Sequence, residues 1–193
     1  MGILKQILAA SAVMLMAVSG AAGATKNIVG GQLIGATGVD VGGTLWDVSF
    51  EDGTCAGLFG SCENSSFPFA TATLAETAAE ALLSQVLTAD IRADPTQVNG
   101  CSNTTNYSQC SIVIPVSVSG LSLAIRSMNI FNTGYGSNTA NFMGVNADTG
   151  SSTATTFAVF SQATSVPLPA AIWLLGSGVA ALGFGAVRGR AQS

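Results

Sequence analysis

The 193-residue sequence has no histidine and only six lysines and arginines. Without an imidazole there is no base of the kind that activates a serine hydroxyl, and a serine–lysine variant has only Lys26 to draw on between residues 25 and 165. Three of the cations, Lys5, Arg188 and Arg190, flank the hydrophobic ends, so Lys26, Arg92 and Arg126 face all ten carboxylates. So few cations cannot neutralise a run of phosphates, which excludes nucleic acid as a partner. An acidic, lysine-poor surface instead suits solubility outside the cell. Zinc needs four placed ligands, and the chain offers neither histidine nor a CxxC spacing, so no metal and no cofactor is predicted. Repeats with a period of roughly 20 to 50 residues are also missing, as are heptads, which excludes solenoids and coiled coils.

What is present begins with four cysteines in two short spacings, Cys55 to Cys62 and Cys101 to Cys110. In an exported chain an even set reads as disulfides. Three connectivities exist, and the two local pairs are favoured because each lies inside a turn-rich stretch, GTCAGLFGSCEN and NGCSNTTNYSQCS. Closing each short loop contributes about 2.5 kcal/mol on the chain-entropy account.

Both ends carry processing signals. Lys5 precedes a 12-residue apolar run from Ile7 to Val18, followed by small residues at 19 to 24. That order is a secretory signal peptide over residues 1–24, with cleavage between Ala24 and Thr25, and it implies a secretion translocon and a signal peptidase as partners. As a helix the run would reach about 18 Å, short of a bilayer core of roughly 30 Å, which disfavours an anchor. At the far end, residues 170–187 form an uncharged run followed by Arg188 and Arg190. A helix of that length reaches about 27 Å, enough for a short transmembrane span, and its basic stop keeps that end cytoplasmic and the body outside.

The string VPLPAAIWLLGSGVAALGFGAVRGR, from Val166 to Arg190, closely resembles the C-terminal sorting signal of PEP-CTERM proteins in its VPLPA variant. It departs from the commonest form in Leu168, where many members carry Glu, and in Gly189, which interrupts the basic cluster. The resemblance covers residues 166–193 and implies an exosortase as partner, cutting within Val166, Pro167, Leu168, Pro169 and Ala170. It further implies tethering at the inner membrane during sorting, then a place at the cell surface or in the extracellular matrix. Pro167 and Pro169 suit that role, since they prevent helix and hold an extended strip that a protease can thread.

The body, residues 25–165, is predicted to be one α+β domain: a mainly antiparallel β-sheet with one substantial amphipathic helix, between the signal helix and the transmembrane helix. The helix is expected over Thr73 to Thr88, with Thr73 and Glu76 as a capping box and a stripe of Leu74, Ala78, Leu82 and Val86. Strands are expected at Asn27 to Ile34, Thr44 to Phe50, Ile112 to Val118, Leu121 to Phe131 and Thr155 to Phe160, the third and fourth forming a hairpin about Ser119-Gly120. Asn132 to Asn141 has too few apolar residues for core and reads as a surface loop.

Two carboxylate groupings are the candidate chemistry: Asp47, Glu51 and Asp52, and Asp90 with Asp94. Paired carboxylates perform glycoside hydrolysis, and Asp47, Asp52, Asp90 and Asp94 could offer oxygen ligands to calcium. Solvated turn carboxylates explain both groupings more simply, and Trp46, Tyr107 and Tyr135 are few as sugar platforms. The expected function is therefore that of a non-enzymatic exported protein. A module binding matrix polysaccharide or a cation is the alternative, and a hydrolase comes third. Sequons at Asn64, Asn103 and Asn106 mark exposed loops rather than glycans.

Overall fold

The computed structural model describes residues 23–102, 109–134 and 136–163. The expected signal helix of residues 1–24 (all but its last two residues), and the expected sorting motif, transmembrane helix and basic stop, lie outside the described residues. Within them, one seven-stranded sheet carries the fold: β1 (Thr25–Val29), β2 (Gln32–Val41), β3 (Thr44–Glu51), β4 (Gln109–Ser119), β5 (Ser122–Phe131), β6 (Gly136–Gly144) and β7 (Thr155–Gln162). Their spatial order is β1-β2-β3-β7-β4-β5-β6. Neighbours run antiparallel except β4 and β7, which pair in parallel through Ser111–Thr155, Ile112–Thr156 and Val113–Phe157. The class is α+β with a mixed sheet. Two three-stranded meanders, β1–β3 and β4–β6, are joined only by the last strand, β7, in the middle.

Tight turns set the first meander. Gly30 and Gly31 have φ of +59° and +87°, and Gly42 and Gly43 have +60° and +88°. Positive φ at both central residues is what a two-residue hairpin turn with strand-matched twist requires. The stretch Asn27 to Ile34 is therefore two strands and a turn, not the single strand its apolar content predicts. The expected hairpin between β4 and β5 is present, with Gly120 in its turn at φ +59°.

Period-two alternation gives the sheet two apolar faces. On one face Ile112 and Ile114 of β4, Met128 and Ile130 of β5, and Phe50, Ala158 and Phe160 of β3 and β7 are buried beneath a helix, α2 (Ala72–Gln85). On the other, Val113, Leu123, Ile125 and Phe157 pack with Phe67 and the Cys55–Cys62 disulfide. That face is covered by a short helix, α1 (Cys55–Phe59), and a 3-10 turn at Asn64–Ser66. Fully burying Phe157, which is 0% exposed, stabilises by about 2–3 kcal/mol.

The principal helix is capped two residues before the expected position. Thr71, not Thr73, is the N-cap, its hydroxyl accepting from Leu74 N–H at 3.2 Å. The buried stripe is Ala75, Ala78, Ala79, Ala81 and Leu82, while Leu74 is half exposed. Small residues let α2 lie close to the sheet. Glu76 closes no capping box and instead pairs with Arg126 on β5.

The expected loop over Asn132 to Asn141 is in large part β6, paired with β5 from Ser122–Gly144 to Ile130–Gly136. An edge strand exposed along most of its length needs few apolar side chains, and hence its composition resembles a loop.

Candidate functional site

Cys55 is bonded to Cys62 and Cys101 to Cys110, with Cα separations of 5.3 and 5.6 Å. All four residues are buried. The first pair sits under the α1 face of the sheet, and the second ties the start of β4 to the segment that follows α3 (Ala89–Ala93) and the 3-10 turn Pro95–Gln97.

The carboxylates named in the sequence do not converge. Asp47 Oδ1 accepts the N–H of Gly38 at 3.0 Å, where Gly38 has φ +70° and the β2–β3 register shifts between Ala36 and Val39. Its task is to hold a β-bulge. Glu51 accepts from the Ser49 hydroxyl. Asp90 is paired with Lys26 Nζ at 2.8 Å and accepts from the Thr88 hydroxyl, and these contacts, the Lys26 bond first, hold its carboxyl well below the usual carboxylate range. Asp94 caps the 3-10 turn by accepting from Thr96 N–H and hydroxyl, the hydroxyl bond being the larger cause of its lowered pKa. Each of these four has a structural assignment.

Asp52 differs. It has no ion pair among the described residues and it lines a cleft of about 190 Å³ with Gln32, Gly100, Ser102 and the 150–153 turn. The cleft lies where β3 ends and β7 begins. The 52–54 corner is fastened to the opposite rim by Gly53 N–H donating to Thr149 Oγ1 at 3.0 Å and Thr149 N–H donating to Gly53 O at 3.0 Å. Asp148 stands on that rim, its Oδ1 accepting from Gly150 N–H at 2.9 Å.

The floor is crowded at Gly100, whose φ is +85°; a Cβ there would press on Asp52 Oδ1 and lie 2.6 Å from Thr156 Oγ1. Thr156 is fully buried, and its hydroxyl has no hydrogen-bond partner among the described residues. Nothing in the sequence singles out Gly100, Asp148 or Thr156, because residues 48 to 104 positions from Asp52 meet it only through the sheet order.

No group of three or more carboxylate, cysteine or histidine side chains close enough to hold a metal occurs among the described residues. As for sugar platforms, the half-buried Trp46 packs against Phe69 and Phe160 with ring centroids 5.1 and 6.3 Å away, so its ring lies against the core. Tyr107 and Tyr135 lie outside the described residues, as do the sequons at Asn103 and Asn106. Asn64 Oδ1 accepts from Val118 N–H at 2.6 Å, a structural contact.

Comparison with known proteins finds no matching family model, no similar curated protein and no matching solved structure.

Proposed function

We propose that the chain is an exported, non-catalytic protein of the cell surface or extracellular matrix, cleaved after Ala24 on secretion and cut by an exosortase within Val166–Ala170. The observation that carries this reading is the coincidence of boundaries. Among the described residues the first strand begins at Thr25 and the last ends at Gln162, so the strands that carry the fold lie inside the interval between the two sequence signals. Two buried disulfides suit an oxidising compartment. The non-catalytic part of the reading is supported by the dispersal of the carboxylates, the pairing of the cysteines and the tying of Lys26 to Asp90.

Intact mass of the native protein from cell surface and medium, beside the same strain lacking its exosortase, tests the proposal. A species starting at Thr25 and ending near Val166, uncut at its far end in the mutant, supports it. Retention of residues 170–193 in both strains makes the tail an anchor and sinks the sorting step.

A further inference from the structure

The two outer edges of the sheet are finished differently. β1 is five residues long, carries Lys26 and is bent by a bulge between Asn27 and Ile28, features that blunt an edge against further pairing. β6 has none of them. Its nine residues, GSNTANFMG, hold no charge and no proline, and they pair with β5 in unbroken register from Gly136 to Gly144.

Only half of the β6 backbone is used. Val145 N–H donates to Leu121 O at 3.0 Å, and that pair continues the β5–β6 register. Close pairs alternate along an antiparallel ladder, so the odd-numbered residues of β6 bond to β5 and the even-numbered ones point their N–H and C=O outward. At Asn138, Ala140 and Phe142 these groups meet no partner among the described residues. The Phe142 side chain is 78% exposed on the same edge.

We propose that β6 docks a second copy of this chain, the two β6 strands running antiparallel about a two-fold axis at Ala140. A row of free amides and carbonyls accepts an extended strand. β6 is its own complement: Ala140 faces Ala140, Phe142 of each copy lies opposite Asn138 of the other, and about six backbone hydrogen bonds are exchanged. Charge favours the same partner. Residues 25–165 hold three cations against ten carboxylates, so two copies repel over much of their surface, whereas at β6 they meet with no like charges opposed. With β1 blunted, pairing stops at two seven-stranded sheets joined into one and does not run on as a fibre. A contact of one strand is smaller than a standard interface, so the dimer is weak. The inference stands on β6 and not on the processing of the ends, so either reading can fail alone.

Sedimentation equilibrium of the full chain in density-matched detergent micelles tests it, with circular dichroism confirming the fold of every variant. Expected is a monomer–dimer equilibrium weakened about tenfold or more by Ala140→Glu, which opposes two carboxylates across the axis, and changed less than about twofold by Val29→Glu on β1. Ala140→Cys, a smaller change, should crosslink two chains through that position on mild oxidation, since facing hydrogen-bonded residues lie about 5.5 Å apart at Cα. A wild-type chain monomeric at every concentration would overturn the proposal, as would an Ala140→Cys dimer that does not crosslink. So would a dimer that Ala140→Glu leaves intact, which would place the contact in the apolar ends.

Discussion

Arg126 on β5 reaches Glu76 on α2, Nη2 to Oε2 at 2.9 Å, and is the one charged contact between that helix and the sheet among the described residues. The arginine side chain is 15% exposed and the glutamate 46%. Removing the glutamate leaves a mostly buried guanidinium without its anion, which costs more than losing a surface pair. Glu76→Gln is therefore expected to lower unfolding stability by about 1–2 kcal/mol, and a double-mutant cycle with Arg126→Met to give a coupling of about 1 kcal/mol. Urea denaturation of the four proteins measures it.

Lys26 and Asp90 join β1 to the first turn of α3, and the carboxyl is held ionised to unusually low pH. A depressed folded-state pKa contributes stability that is present above the unfolded value of 3.8 and is lost as pH falls through the folded one. The midpoint of thermal unfolding should be flat from neutral pH down to about pH 5 and drop below about pH 4 as the unfolded carboxyl takes up its proton. Asp90→Asn should soften that drop while lowering stability at neutral pH. A titration of melting temperature for both proteins decides; parallel curves would count against the pair.

Much of this architecture was legible from residues alone. β3, β4, β5 and β7 lie where their apolar runs predict, and the short cysteine spacings indicated local pairs. β2 beyond Ile34 was missed because its glycines, Gly35 and Gly38, break the alternation. Gly35 is there for close approach, since a Cβ would collide with Val48 O. β6 was missed for the opposite reason: an edge strand is specified by its neighbour's hydrogen bonds and not by its own apolarity. The cleft was invisible because the sheet order that assembles it, with β7 between β3 and β4, leaves no periodic trace.

Gly100 makes the cleft possible. Alanine there meets both a left-handed φ and the crowding of Thr156, so Gly100→Ala is expected to lower stability by about 2–4 kcal/mol. Chemical denaturation measures this, and Gly144→Ala, where a Cβ meets nothing within 4 Å, serves as the neutral comparison.

Thr156→Val removes the orphaned hydroxyl while keeping the side chain's shape. The variant should be more stable than the wild type by about 1 kcal/mol. Denaturant titration of the two proteins reads it out, and a variant no more stable than the wild type would show that the hydroxyl is satisfied.

Reduction of the Cys101–Cys110 bond frees the start of β4. Replacing both cysteines by alanine should cost about 2.5 kcal/mol by denaturant titration. Peptide mapping of the oxidised chain should recover Cys55 with Cys62 and Cys101 with Cys110, and a peptide joining Cys55 to Cys110 would contradict the fold.

The placement of β7 also dictates a timetable. Synthesis proceeds from the amino end, so the meanders β1–β3 and β4–β6 emerge as two unjoined half-sheets, and the strand that welds them comes last. A chain stopped before Thr155 would leave the facing edges of β3 and β4 open, with Val48, Phe50 and Ile112 short of the Ala158 and Phe160 that share their face. Until its final strand arrives, the two half-sheets have no strand between them to complete a common hydrogen-bond ladder.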